Sequence, residues 1–388
     1  MSETADAVVI GAGVNGVSIA FNLMRRGMQK VIVVEKYLLA SGGTGKSAAV
    51  IRQHYSNEPL VRMMKRSIEI FVNFAEMVGG SAGFHGTGWA FLVPSESVSL
   101  FRQNLAMQQR IGIRTREISR EELLDIEPRF NLEDVATVGY EPESGYADPT
   151  RTTASYLQSA CRRGAKLQQG SSVTSIGTTG NHVTEVVTSR GRISTPIVVN
   201  AAGPWADRVA EMVGLSIPIE VSREQEILVA PPADEKMLRL AVSDMAKAIY
   251  YRPVGHQLLV GRGFPKEYEY VNPDRFRETI DFDFVEETKG RLNDRLPAYT
   301  DSLVIGGKTG LYDITPDWHP VLGPTPVDGF FVAAGFSGHG FKLGPAIGEL
   351  MAEEIVDGKA SGVDISGFRL DRFVGNKLFV SSYGGNRA

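Results

Sequence analysis

The chain has 388 residues, of which 43% are hydrophobic and 22% charged, with a formal net charge of −4. That balance is ordinary for a soluble globular enzyme and offers no basic face for nucleic acid. No apolar run approaches the ~20 residues needed to span a bilayer, and the length exceeds what one hydrophobic core usually organises.

The chain opens as strand, glycine turn, helix, strand. ADAVVI (5–10) is an apolar run suited to a strand buried on both faces, residues 14–26 follow as a helix, and KVIVVE (30–35) is a second buried strand. Residues 5–10 lead straight into Gly11 with no basic region, apolar core or cleavage site before them, so a cytoplasmic location is expected. Gly11, Gly13 and Gly16 stand between strand and helix as G-A-G-V-N-G. Gly11 permits the tight turn, Gly13 brings backbone close to a pyrophosphate, and Gly16 allows close helix–strand packing. The helix N-terminus, with Val14 and Asn15 in its first turn, turns unpaired N–H groups toward phosphate. Glu35, 19 residues after Gly16, suits ribose hydroxyls and would repel a 2′-phosphate, which argues against NADP. The fingerprint alone does not separate FAD from NAD.

Residues 58–77 have the spacing of a long amphipathic helix with Leu60, Met64, Ile68, Phe71 and Ala75 near one face. Past Gly86, short alternating stretches mix with helices expected at 97–110 and 120–125. The arginines from Arg102 to Arg120 alternate with glutamates and read as a solvated face. A helix is expected over 149–164, where Cys161 reads as a small buried hydrophobe; a single cysteine forms no intramolecular disulfide and no thiolate zinc site. Strand-like runs follow near 173–176, 182–188 and 193, and PIVVNAAG (196–203) reads as another buried parallel strand. More β-rich segments lead to a polar helix predicted at 275–289. The end returns to a strand, a glycine-rich turn and a helix over 345–356.

This alternation predicts an α/β fold with two domains woven together. A Rossmann-like dinucleotide-binding domain is expected from residues 1–80, 145–210 and 305–388. A mixed-sheet α+β domain is expected from 81–144 and 211–304.

Five further stretches carry a resemblance. They are SGGTGKSAAVIRQHY (41–55), YEPESGYADPTR (140–151), VVNAAGPWA (198–206), GLYDITPDWHPVLG (310–323) and GFSGHGFK (335–342). With the fingerprint, the chain resembles the D-amino-acid oxidase superfamily of FAD-dependent flavoproteins. It is most similar there to the monomeric sarcosine oxidase, sarcosine oxidase beta-subunit and glycine oxidase branch. The resemblance implies FAD as cofactor. It places Glu35, Lys36, Thr44, Gly45, Lys46, Ser47, Val173, Ala202, Gly203, Gly338, His339, Gly340, Phe341 and Lys342 along that cofactor, beside Gly11, Gly13, Val14, Asn15 and Gly16. For Lys46 a solvated loop position, and for Ala202 and Asn200 a plain core position, are the alternatives. Pro345 suits the first turn of the last helix, whose dipole favours an anion at the flavin N1/C2=O edge.

Arg52 and Lys342 match the residues that hold the substrate carboxylate in that branch, and a guanidinium is a natural clamp for it, with a surface ion pair as the alternative for Arg52. The implied reaction is oxidation of the C–N bond of a small amino acid or N-methyl amino acid to an imine, by hydride transfer to flavin N5. Tyr250 or Tyr251 is a candidate for the pocket wall, with a core position as the alternative. His339 is a candidate to face the flavin edge, and His319 a structural residue. Three departures stand out. Gly310 replaces the cysteine that tethers flavin in the monomeric oxidase, so non-covalent FAD is expected. Leu259 falls where that enzyme has its oxygen-activating lysine, and Gly263 where it has an active-site histidine. The electron acceptor is therefore oxygen or another carrier. An NAD-dependent dehydrogenase, a beta-type subunit of a larger dehydrogenase complex, and a non-catalytic FAD-binding assembly factor are the competing readings, and a homo-oligomer or a partner subunit is the assembly expected.

Overall fold

The structure is a computed structural model that describes residues 3–383. Five strands lie parallel in the order Lys166–Gln169, Val31–Glu35, Ala7–Ile10, Val198–Asn200, Phe330–Ala334, and Val321–Pro324 adds an antiparallel edge. Ala7–Ile10 sits in the middle with every residue buried, as its unbroken apolar sequence requires. The helices Val14–Arg25, Glu58–Val72, Pro149–Arg162 and Gly340–Val356 cover one face. Val14–Arg25 and Gly340–Val356 meet closely because Gly348 has no side chain: a Cβ there would start 1.9 Å from Ser18 Oγ. On the other face lies a small sheet of Glu3–Thr4, Gly191–Ser194, His182–Thr188 and Val173–Thr179.

The second sheet is mixed. Leu303–Ile314 pairs along all of Glu220–Ala230, which is followed by Gln257–Arg262, Ile249–Val254, Ala241–Asp244, Trp89–Val93, Thr137–Glu141 and Arg116–Ile118. Pleating divides these strands by parity. Ile227, Val229, Tyr251, Leu258 and Val260 form a core with the helix Phe282–Arg295. Their neighbours Glu226, Tyr250 and Lys308 line a cavity on the opposite face. The fold is thus α/β, with a Rossmann-like sheet and a mixed sheet whose strands interleave along the chain.

Four expectations are corrected. The helix expected over 58–77 stops at Val72 and a separate turn, Phe74–Met77, begins after Asn73, whose N–H and side-chain amide both bond to the Glu69 carbonyl. That break buries Phe74 and leaves Ala75 exposed. The helix expected at 275–289 runs instead over Phe282–Arg295. Buried Arg223 takes the carbonyls of Arg277 and Thr279 and the carboxylate of Asp281, which draws 275–281 off as a loop. The last helix begins at Gly340, so Pro345 lies inside it. Cys161 is exposed on the outer side of its helix. No helix among the described residues is long and apolar enough to cross a membrane.

Candidate active site

A cavity of about 1060 Å³ separates the two sheets. That exceeds the range of roughly 300–1,000 Å³ usual for drug-sized ligands, and leaves room for a dinucleotide with a small molecule beside it. Its floor is bare backbone. Gly11 has φ +109°, and a Cβ there would meet the Ala201 carbonyl oxygen at 2.4 Å. Two helices, Val14–Arg25 and Gly340–Val356, point their N-termini at this floor, and neither has a side-chain cap from its own N-cap residue. Asn15 joins them by donating to the Gly340 carbonyl at 3.3 Å, while its buried Oδ1 has no hydrogen-bond partner. Glu35 is held at the neighbouring strand end by Ala12 N–H at 2.9 Å and Tyr37 N–H at 2.8 Å. Helix N-termini, close backbone and a fixed carboxylate acceptor are what a dinucleotide with free ribose hydroxyls requires, so the residues present fit FAD.

Of the residues expected along the cofactor, Gly11, Gly13, Asn15, Glu35, Lys36, Thr44, Lys46, Ser47, Val173, Ala202, Gly203, Gly338, His339, Gly340, Phe341 and Lys342 line the cavity. Three sit beneath its wall. Val14 is buried in the core and its N–H donates to Thr44 Oγ1 at 3.1 Å. A side chain at Gly16 would start 2.0 Å from the Gly11 carbonyl oxygen, and one at Gly45 2.4 Å from that of Ala40. Asn200 is a core residue, bonded through its amide to the Ala206 carbonyl and the Ala202 N–H. His319 is also structural: it bonds to Asn57 and to the Asp317 carbonyl and stacks on Phe379.

At the far end the cavity turns cationic. Arg52 leaves the short strand Val50–Ile51, donates to the His54 carbonyl, and lies over the rings of Tyr55 at 4.6 Å and Trp89 at 5.9 Å. Lys342 enters from the first turn of the last helix and makes no side-chain hydrogen bond among the described residues. Burial, and then the nearby Arg52 charge, hold its pKa well below the ordinary 10.5. His339 beside them bonds through Nδ1 to Tyr55 OH at 3.1 Å, and burial followed by the two cations keeps it neutral. His54 is also neutral, its pKa lowered to about 3 by burial and by Arg52.

The roof of the cavity comes from the mixed sheet, and much of it was missed from sequence. One row of paired positions crosses the strands as Lys308, Glu226, Gly261, Tyr250, Ser243 and Phe91. Gly261 is the gap in the row: a Cβ there would lie 2.3 Å from the Tyr250 ring, so glycine lets Tyr250 OH reach Glu226 at 2.9 Å. Tyr251, the other candidate for the wall, has the opposite parity and is fully buried in the core. The available signal was Glu224 and Glu226, two acidic residues spaced by two on a strand whose other positions include Ile227 and Val229. Gly310 and Gly263 line the cavity, whereas Leu259 is buried in its strand.

Known proteins are similar to this chain in sequence and fold. The family model described as FAD dependent oxidoreductase matches residues 6–354. Sarcosine dehydrogenase from Mus musculus is 27% identical over 96% of this chain, and the chain spans only 42% of that protein's length. Sarcosine oxidase subunit beta of Rhodobacter capsulatus is 25% identical, with 91% of this chain and 85% of that one covered. Among solved structures, L-proline dehydrogenase from P.horikoshii superposes with a TM-score of 0.90 at 32% identity, covering 98% of this chain and 100% of that one. Glycine oxidase from Geobacillus kaustophilus gives 0.83 at 25% identity, covering 96% and 99%.

Proposed function

The chain belongs to the FAD dependent oxidoreductase family, and from that premise we propose that it oxidises the C–N bond of a small amino acid or N-methyl amino acid to an imine. When bound, FAD supplies the hydride acceptor, N5 of its flavin. The observation that carries the reading is the meeting of Arg52 and Lys342, 290 positions apart, in the cavity floored by the glycine fingerprint.

The side chains divide the work. Arg52 offers a planar pair of donors to a carboxylate. Lys342 is drawn toward its neutral form by burial and Arg52. An arriving anion favours the charged form, so carboxylate binding opposes that shift and holds the proton on Nζ. Neutral His54, Phe91, Met245 and Ile249 make the adjoining wall uncharged and largely apolar. That wall suits a small amine with an apolar substituent and keeps water from its α-carbon. Fixing the carboxylate at one end orients the C–N bond toward the cofactor floor, which is the protein's share of the rate. The imine hydrolyses in water after release.

Non-covalent attachment belongs to the same reading, supported by Gly310 in the cavity and by the single cysteine, Cys161, lying outside it. So does a division into an FAD-binding domain of residues 1–80, 145–210 and 305–388 and a substrate domain of 81–144 and 211–304. Separate cores beside the two sheets support that division. The acceptor is oxygen or another carrier. Similarity to sarcosine oxidase subunit beta favours, as a second reading, a catalytic subunit of a larger dehydrogenase complex.

The test is anaerobic titration of the yellow protein with amino acids and N-methyl amino acids. Bleaching of the flavin band by at least one carboxylate-bearing amine is expected, and no response across the panel would sink the reaction. Arg52→Ala is expected to raise the concentration needed for bleaching by about 10²-fold, the scale of a lost charge-assisted contact of ~3 kcal/mol, with FAD content intact. Lost FAD would reassign Arg52 to the cofactor.

A further inference from the structure

Residues 271–281 leave the mixed sheet after Glu269–Tyr270 and reach the opposite wall of the cavity. Pro273, Asp274, Phe276 and Glu278 of this loop line the cavity themselves. Asp274 is gripped by three donors that all come from the parallel-sheet side. Its Oδ1 accepts from Lys36 Nζ at 3.0 Å and Trp205 Nε1 at 2.8 Å, and its Oδ2 accepts from Arg208. Arg208 donates as well to Asn272 Oδ1 at 2.9 Å. A second tie follows where Glu278 pairs with Lys46 at 3.1 Å, on the loop carrying Thr44 and Ser47. The base of the loop is fixed to its own sheet by Arg223.

The position of these ties separates them from ordinary surface ion pairs, which contribute little one at a time. Lys36 directly follows Glu35, and its ammonium sits 3.8 Å from the Trp205 ring centroid, so the grip closes over the ribose end of the cavity. Three donors converge on one carboxylate, and they outweigh its partial burial enough to hold its pKa at about 2. The loop thus bridges the two sheets across the groove that the cofactor fills.

We propose that residues 271–281 form a strap that retains FAD, with Asp274 as its latch, so that release of the latch sets the rate at which FAD leaves. The inference rests on FAD occupying this cavity and is independent of the substrate. A colourless wild-type protein would count against the cofactor assignment, whereas the strap is judged on release rates from yellow protein.

The experiment follows recovery of free-flavin fluorescence after dilution of holoenzyme, for wild type, Asp274→Ala, Arg208→Ala and the double variant. Asp274→Ala is expected to speed release by about tenfold, and the double variant to be no faster than Asp274→Ala, because both changes open the same latch. Added salt is expected to speed wild-type release more than that of Asp274→Ala. Apoprotein melting temperatures are expected to agree within a few degrees. Release at the wild-type rate in Asp274→Ala overturns the proposal. So does a large fall in apoprotein melting temperature, or effects of the two changes that simply add.

Discussion

Lys342 is placed where an isolated fold would not place it. It is half-buried on the cavity wall near Arg52 with no carboxylate paired to it among the described residues, and its folded-state pKa lies well below the ordinary 10.5. Between those two values the unfolded chain holds a proton that the folded chain does not. Stability of the apoprotein therefore rises with pH through that window, and the lysine is a cost at neutral pH. Lys342→Met is expected to raise apoprotein stability by about 1–2 kcal/mol, in the range typical of relieving a functional strain, and to flatten its pH dependence. Carboxylate binding is lost in the same variant. A lower melting temperature at pH 7 would show that the lysine is supported by contacts other than those described. At this scale the sequence was readable where a residue type is unusual for its place, as with a lysine at a helix N-terminus. It was not readable for Tyr250 and Tyr251. Adjacent and chemically identical, they are told apart only by pleat parity, which depends on pairing with Gln257–Arg262.

At the scale of elements, legibility followed local physics. The strands Ala7–Ile10 and Val31–Glu35 and the first helix were plain because glycines and unbroken apolar runs leave few alternatives. The two misplaced helix starts were set by residues far away. Arg223 unwinds 275–281 from a neighbouring strand, and nothing within that segment announces it. In the last helix, Pro345 has no N–H for the carbonyl one turn back, a defect that normally breaks a helix. Here buried Ser67, from the helix Glu58–Val72, accepts from Ala346 N–H at 3.2 Å and donates to the Leu343 carbonyl at 3.4 Å. The helix therefore continues through the proline and carries Lys342 and His339 to the cavity from one rigid support. Ser67→Ala is expected to lower stability by about 1–2 kcal/mol, the cost of leaving a buried amide short of a partner, as read from urea unfolding. An unchanged midpoint would mean that the helix satisfies that amide by itself.

For the whole molecule, the cofactor cavity is the seam between two sheets that each have their own core. Its floor comes from Gly11 and Gly338, its far end from Arg52 and Lys342, its roof from Glu226 and Tyr250, and its strap from Asp274. The floor was legible because phosphate binding demands glycine at fixed spacing. The roof was not, because its polar positions are spread over four strands and have meaning only once those strands pair. A ligand in such a seam binds the folded arrangement of both sheets and neither sheet unfolded. FAD is therefore expected to stabilise the protein by RT ln(1 + [FAD]/Kd), about 2.7 kcal/mol at a hundredfold excess over Kd. Because the strap and the roof belong to one sheet and the floor to the other, that gain should appear in both. Circular dichroism reports the whole chain, and in a Trp205→Phe, Trp318→Phe background the fluorescence of Trp89, inside the mixed-sheet cluster, weights one side. Adding FAD to apoprotein is expected to raise the transition seen by either probe by the same amount. A rise in the circular dichroism transition with none in tryptophan emission would place the cofactor on the parallel sheet alone, and the roof and strap would then be bystanders to its binding.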